Sequence, residues 1–333
     1  MSKLITIAVD AMGGDDSPHK VINGINHHFK TNKNIFYKIF GDSEEIKKAV
    51  PNSLPSSSFE IIHTKEKVKG SDSALRAARG KDSSMWLAID SVKNKESDIT
   101  ISAGNTGALF VIAKLNLKMI ENIDKPALAG LWPNKNGTNI VLDLGASIDC
   151  SEKNLVDFGI MGSALFKALF PNEESKVAIL NIGSEEIKGH EILKKAYEIL
   201  NSNNNLNFKF NGYIEGNEIM DGISNVIITD GFTGNVALKT AEGTANFITN
   251  ELKKTITSNF FGKISSLINI KNISKFKKRF DPRLYNGAIL LGLDSPVVKS
   301  HGATDYIGFS NSLNVCGKIV KGDLINKIKK NIS

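Results

Sequence analysis

Short runs rich in β-branched and aromatic residues recur along the chain and alternate with longer stretches of helical periodicity. The runs at 5–9, 36–40, 59–62, 99–102, 127–131, 139–142, 176–181, 208–213 and 226–229 predict strands. Residues 155–169, 192–200 and 236–253 are among the intervening stretches that predict helices. Apolar strands between helices imply a mainly parallel sheet with both faces covered, in a three-layer α/β/α arrangement. Ligands of such sheets collect where strands end and loops open into helices. No tandem repeat or low-complexity linker divides the chain, so residues 1–333 are read as a single α/β catalytic domain.

After the long helix that begins near residue 233, the texture changes. Phe260, Ile264, Leu267 and Ile268 recur at helical spacing, with Phe261 beside them, and Lys275, Lys277, Lys278 and Arg279 follow. Residues 247–283 therefore read as a basic, amphipathic helical extension, a protruding hairpin or helix pair. The net charge of the chain is +7, yet segment 253–283 holds nine cations against Asp281 alone, +8, which leaves −1 for everything else. A solvated charged face is the plain reading of this segment. Attraction to an anionic partner or membrane surface is the sharper one.

With 333 residues, 41% hydrophobic and 23% charged, the chain has the composition of a globular protein with a large core. The first residues turn to Gly and Asp too early for a secretory signal, and no apolar run approaches the roughly 20 residues of a membrane span. Two cysteines, Cys150 and Cys316, make a disulfide framework or Cys-rich zinc site unexpected, and a cytoplasmic location is the expectation.

Three strand–turn–helix or strand-end clusters carry candidate chemistry. In the first, a strand runs into Ser102-Ala-Gly104-Asn105-Thr106-Gly107 and a helix follows at once. Small residues let a ligand approach the backbone, Thr106 can cap the helix or donate its hydroxyl, and free N–H groups at a helix start attract anions. An ordinary turn with a Thr cap is the alternative. The second, Thr229-Asp230-Gly231-Phe-Thr233-Gly234-Asn235, has the same grammar, with Asn235 opening a helix and Lys239 one turn on along the same face. Asp230 as a mere helix cap is the plainer reading there. In the third, which runs from Tyr285-Asn286-Gly287, a strand ends in Lys299-Ser300-His301-Gly302, a cation, hydroxyl and imidazole beside a glycine. A further strand-end loop holds Asp10, Gly13 and Gly14 before Pro18, which suits a helix start. Two anion-binding turns predict one shared polar cleft.

Dinucleotide, P-loop, zincin and serine-hydrolase signatures are absent, and the six histidines show no metal-ligand spacing. Taken together, VDAMGGDDSP, SAGNTGAL, DLGA, NIGSEEIKG, TDGFTGNVALKTAEG and YNGAILLGL with VVKSHG resemble the bacterial PlsX family, acyl-acyl carrier protein:phosphate acyltransferases, over essentially the whole chain. Ser147, Ser184, His190, Asn217 and Glu218 depart from the family's usual residues, outside the strongest motifs.

The resemblance implies a fold like that of phosphotransacetylases and isopropylmalate-type dehydrogenases, and a homodimer. It implies transfer of a long fatty acyl group from acyl carrier protein to inorganic phosphate. The acyl phosphate would serve a membrane glycerol-3-phosphate acyltransferase in phospholipid synthesis, and the protein would associate peripherally with the membrane. No cofactor, metal or nucleic acid is implied. A thioester is already reactive and phosphate is an anionic nucleophile, so the protein must hold phosphate at the carbonyl and stabilise the oxyanion. Residues 104–107, Thr233, Gly234 and Asn235 would bind phosphate, with Ser300 beside them. Lys239, Lys299 and His301 would neutralise charge or contact the oxyanion, and Asp230 would orient the phosphate. A coenzyme A-dependent phosphotransacetylase, a dehydrogenase of the same architecture, and a non-catalytic membrane-surface scaffold are the rival readings.

Overall fold

The computed structural model describes residues 4–259, 264, 268–272, 274 and 281–332. Among these residues eleven strands form one sheet: β1 (Ile5–Asp10), β2 (Ile35–Gly41), β3 (Phe59–His63), β4 (Ile99–Ser102), β5 (Ala127–Pro133), β6 (Thr138–Leu142), β7 (Lys176–Leu180), β8 (Lys209–Ile214), β9 (Val226–Ile228), β10 (Ala288–Leu291) and β11 (Val297–Lys299). Their order is β3-β2-β1-β4-β11-β10-β5-β6-β9-β7-β8. Parallel pairing dominates, but β10 runs antiparallel to both β11 and β5, and β5 runs antiparallel to β6. The strands do not all point one way, and the reversals fall in the middle of the sheet. The apolar runs of these central strands read alike in either direction, which is why the pattern predicts strands but not the reversals.

Alternation along the strands divides the core. Ile7 and Val9 join one extended apolar cluster together with Tyr37 of β2, while Ala8 joins a separate cluster on the opposite face. The extended cluster is built with α1 (His19–Phe29), α6 (Glu152–Leu169), α7 (Glu191–Ser202), α9 (Tyr306–Lys321) and α10 (Leu324–Ile332). The opposite face is covered in pieces. Over one half lie α3 (Ala74–Ala77), α4 (Ser84–Lys93) and α5 (Thr106–Asn116), whose apolar side chains meet Leu290 and Val297. Over the other half lie the first turns of α8 (Gly231–Ile256), through Ala237, Leu238 and Ala241. A short helix α2 (Ser43–Ala49) packs beside β3.

This seam between α5 and α8 has a simple geometric consequence. β11 has three residues and β10 four, so at about 3.3 Å per residue the sheet is only ~10 Å deep at its middle. Oppositely directed strand ends are thereby brought to one cleft. α8 starts just beyond the end of β9 and packs on the sheet only through its first three turns. From Glu242 to Thr255 its residues are exposed, so this part of α8 lies off the sheet. Of the extension's named residues, Ile264 and Ile268 are exposed, whereas Phe260, Phe261, Leu267, Lys275, Lys277, Lys278 and Arg279 lie outside the described residues. Among the described residues no helix is long and apolar enough to cross a membrane.

Candidate active site

The turn after β4 is capped by Asn105, not by Thr106. Asn105 Oδ1 accepts from Ala108 N at 3.0 Å, while Nδ2 donates to the carbonyls of Gly70 at 2.9 Å and Asp72 at 3.2 Å. Its side chain thus fixes both the helix start and the 70–72 loop. Thr106 and Gly107 are the first helical residues, whose N–H groups have no intrahelical acceptor. Both line a cavity of about 260 Å³ with Lys299, Gly145 and Ala146.

The two glycines of this turn differ. A Cβ on Gly107 would meet only Asn105 Oδ1 at 3.5 Å and Ala74 Cβ at 3.6 Å, ordinary contacts. Packing does not require a glycine there; the open face towards the cavity is what the missing side chain provides. A Cβ on Gly104 would lie 2.6 Å from Met85 Cε, and one on Gly13 would lie 2.6 Å from Gly104 N. Gly104 and Gly13 are closely packed against their surroundings, and Gly104 N donates within the turn. Gly14, at φ +86°, lies against Ala103 and Lys20 in the same way.

Asp10 stands behind this turn, almost wholly buried. Its Oδ1 accepts from Ser84 Oγ at 2.6 Å and Met12 N at 3.2 Å, and its Oδ2 accepts from Ser102 Oγ at 2.6 Å. Ser102 Oγ in turn accepts from Gly104 N at 3.0 Å. Burial pushes the Asp10 carboxyl up; the bonds from Ser102, Ser84 and Met12 and the charge of Lys299 oppose it. Asp10 is therefore a group that positions the turn.

Lys299 ends β11, half-buried at the polar end of the cavity. Burial pushes its ammonium down to about 8; Lys20 pushes the same way and Asp10 opposes. Its Nζ donates to the carbonyl of Ser300. Lys20 Nζ and Asp15 N both donate to the carbonyl of Gly302, at 2.5 and 3.0 Å, which ties the first loop of the chain to this one. Ser300 is fully buried, and its Oγ accepts from Asn286 Nδ2 at 3.0 Å. It lies behind the cleft rather than on its wall, contrary to the phosphate contact expected of it. Asn286 Oδ1 also accepts from His301 N at 2.9 Å. His301 is exposed, and its Nδ1 accepts from Ala303 N at 3.2 Å, so in the neutral ring the proton sits on Nε2. Desolvation first, then Lys299, Lys239 and Lys20, hold its pKa below the usual histidine value, with Glu242 opposing.

The second turn is a helix cap. Asp230 Oδ1 accepts from Thr233 N at 2.8 Å and Oδ2 from Thr233 Oγ1 at 2.7 Å, and Gly234 N donates to the Asp230 carbonyl at 2.9 Å. The donors expected to hold phosphate at Thr233 and Gly234 are thus engaged within the chain, and the helix opens at Gly231 rather than Asn235. Its glycines serve close packing. A Cβ on Gly231 would fall inside the contact radius of the Ser147 carbonyl oxygen, and one on Gly234 inside that of the Asp143 carbonyl oxygen. The loop they touch is itself ordered by Asp143, whose carboxylate accepts from the N–H groups of Leu128, Gly145, Ala146 and Ser147 at 2.7–3.1 Å. Burial pushes that carboxyl up against these bonds.

Asn235, Lys239 and Glu242 follow at helical spacing on one face of α8. Asn235 lies beside Gly145, 3.5 Å from where its Cβ would be, and Lys239 pairs with Glu242 at 2.8 Å, close enough to bear on His301. The cleft so formed has the start of α5 as one wall, the 235–242 face of α8 as the other, and Lys299 and His301 gathered at one end, with Lys20 buried behind them. Free helix-start N–H groups beside a lysine are an arrangement that attracts anions. Of the residues expected at the site, Thr106, Gly107, Asn235, Lys239, Lys299 and His301 come together. Lys20, Ser84, Ser102, Asp143, Glu242 and Asn286 join them as supports without a role foreseen from the sequence. Ser102, Asp143, Glu242 and Asn286 lie within noted motifs, but nothing in the sequence says which atoms they hold.

Residues 5–327 match the family model described as "Fatty acid synthesis protein". The chain is 70% identical to "Phosphate acyltransferase" of Pelagibacter ubique (strain HTCC1062), over 100% of both chains. The fold is similar to that of a EutD phosphotransacetylase from Staphylococcus aureus, with TM-score 0.63, 14% identity and coverage of 96% of this chain and 94% of that one. It is also similar to a 4-hydroxythreonine-4-phosphate dehydrogenase from Klebsiella pneumoniae, with TM-score 0.55, 10% identity and coverage of 96% and 100%. These structures share the mixed α/β architecture with its large, mostly parallel sheet. Full-length matching to the family model and to a highly similar relative makes the chain a member of the fatty acid synthesis protein family, the PlsX phosphate acyltransferases, and an acyltransferase.

Proposed function

We propose that the cleft transfers a long-chain fatty acyl group from acyl carrier protein to inorganic phosphate, supplying acyl phosphate for phospholipid synthesis. The observation that carries this reading is the convergence of Thr106 and Gly107 with Lys299 at one end of a cavity otherwise lined by apolar side chains. Phosphate is held at the polar end by the helix-start N–H groups and Lys299, with Lys239 and His301 at the cleft's edge. A phosphate oxygen attacks the thioester carbonyl carbon, the C–S bond breaks, and the sulfur leaves with the bonding electrons. The proton of hydrogen phosphate ends on the thiolate, whose ordinary pKa of about 8.5 makes it a ready leaving group. No net redox change occurs. Donors fixed before the reaction stabilise the oxyanion without reorganising.

The test is direct. Purified protein is incubated with palmitoyl-acyl carrier protein and phosphate, and acyl phosphate is trapped with hydroxylamine as the hydroxamate. Phosphate-dependent hydroxamate supports the reading, and its absence removes it. Preference for the coenzyme A thioester over the carrier-protein thioester would favour the phosphotransacetylase alternative.

The protein also acts, in this reading, as a homodimer at the membrane surface, beside the membrane acyltransferase that uses its product. The support is the basic segment 253–283 and the exposed Phe247, Ile248 and Leu252 on the projecting part of α8. An amphiphilic, hydrolysable product is best released at a bilayer. Each basic residue near an anionic surface adds roughly 1 kcal/mol. Wild-type protein is expected to sediment with anionic liposomes at low salt, and Phe260→Ser with Phe261→Ser to abolish this while turnover of soluble acyl-acyl carrier protein persists. No sedimentation of the wild type would reassign the segment to carrier docking or dimer contacts.

A further inference from the structure

The cavity beside Lys299 is amphiphilic along its length. Leu128, Leu290 and Val297 form a row across β5, β10 and β11, because Leu290 is in register with both Leu128 and Val297. Lys299 lies two residues beyond Val297 on the same strand, so it projects from the same face. α5 covers this row: Thr106 and Gly107 overlie the polar end, and Leu109 and Phe110, one turn further, line the apolar part. Val297 and Leu290 are buried, whereas Leu128 and Phe110 are half-buried and leave room between helix and sheet.

We propose that this apolar part is the acyl subsite, holding the first methylenes of the substrate chain against Leu109, Phe110, Leu128, Leu290 and Val297. The assignment rests on the acyl-transfer reading above. With the carbonyl at the polar end, beside Lys299 and the Thr106 and Gly107 N–H groups, the chain has one apolar direction open to it, along the strand row. A methylene and a water molecule occupy similar space, about 30 Å³, so the whole 260 Å³ would admit roughly eight methylenes, and the phosphate and carbonyl at its polar end leave room for fewer. The pocket therefore reads the part of the chain nearest the reacting carbon and discriminates short acyl groups from long ones. Each methylene buried there is worth about fourfold in binding.

Leu128 from the sheet and Phe110 from α5 are half-buried apolar side chains of the lining, so their size sets the room between helix and sheet. The test compares kcat/KM for palmitoyl-, octanoyl- and butyryl-acyl carrier protein in the wild type, Leu128→Phe and Phe110→Ala. Folding of each is checked by its melting temperature. Leu128→Phe, which fills the pocket, is expected to lower the palmitoyl-to-butyryl ratio at least tenfold. Phe110→Ala, which removes a wall, is expected to move that ratio measurably as well, and serves alone if Leu128→Phe does not fold. A wild-type ratio in a folded variant overturns the proposal, as does an equal loss for every chain length, which would mark the pocket as the site of the thioester's carrier arm. A wild type that makes no acyl phosphate from any thioester instead overturns the acyl-transfer reading itself.

Discussion

Gly234 rests directly on the backbone of Asp143: a Cβ at Gly234 would fall inside the contact radius of the Asp143 carbonyl oxygen. Gly234→Ala must push α8 off the 143–147 loop. Overpacking of this kind costs about 1–3 kcal/mol. The expected outcome is a matching loss in denaturant unfolding, accompanied by lower activity because Asn235 and Lys239 move with the helix. Gly107→Ala is the control, since its Cβ has room. It should fold with wild-type stability yet raise KM for phosphate, by narrowing the approach to the α5 N–H groups. Equal stability of the two variants would contradict the packing assigned to Gly234.

Lys299 gives the cleft a pH dependence. Its pKa is lowered to about 8, so an anion that needs the ammonium binds well below that pH and progressively less well above it. KM for phosphate should rise through about pH 8, and Lys299→Arg, charged throughout, should flatten that limb. The sign for stability is opposite. The unfolded lysine holds its proton up to about 10.4, so the unfolded chain binds more protons between the two values. Folding stability from this group therefore increases as pH rises from about 8 to 10.4. A pH titration of phosphate KM beside one of unfolding separates the two effects.

Asp10 supports Lys299 from behind. Asp10→Asn keeps the size but loses the charge and one acceptor. Breaking a buried hydrogen-bonded network of this kind costs about 1–3 kcal/mol. Because Asp10 raises the proton affinity of Lys299, its neutralisation should shift the alkaline limb of the phosphate KM profile to lower pH. A stability loss with an unmoved limb would mean that Asp10 is structural only.

Asn235 and Lys239 face the cleft from the other wall. Asn235→Ala or Lys239→Ala should lower kcat/KM by tenfold or more, at least about 1.4 kcal/mol of transition-state stabilisation. Unchanged kinetics in folded Lys239→Ala would remove it from the site.

Much of this was legible in the sequence because strand and helix periodicities are local. The apolar runs mark nine of the strands, and the small-residue turns mark the strand ends around the cleft. What the pattern does not carry is which partner each polar atom takes. Thr106 and Asn105 are both good caps by type, and the choice of Asn105 follows from its second contact with the 70–72 loop. Thr233 has free donors on paper, but its neighbour Asp230 reaches both. Ser300 sits between Lys299 and His301 in the chain, yet strand alternation turns it to the interior, where Asn286 meets it. The glycines mislead for the same reason: sequence shows a missing side chain, and only packing shows whether a ligand or a backbone lies opposite.

The reversed strand at the middle of the sheet also bears on how the protein is made. β4 and β5 face one another only through β10 and β11, which come from residues 288–299. During synthesis, until those residues emerge, β4 and β5 are both open edges with unsatisfied backbone groups, the kind that pair with the wrong strand. Lys299, the cation at the polar end of the cavity, is the last residue of the strand that joins the halves. The nascent chain therefore acquires the charge at its site in the same step that seals its sheet, and a partly made protein has neither.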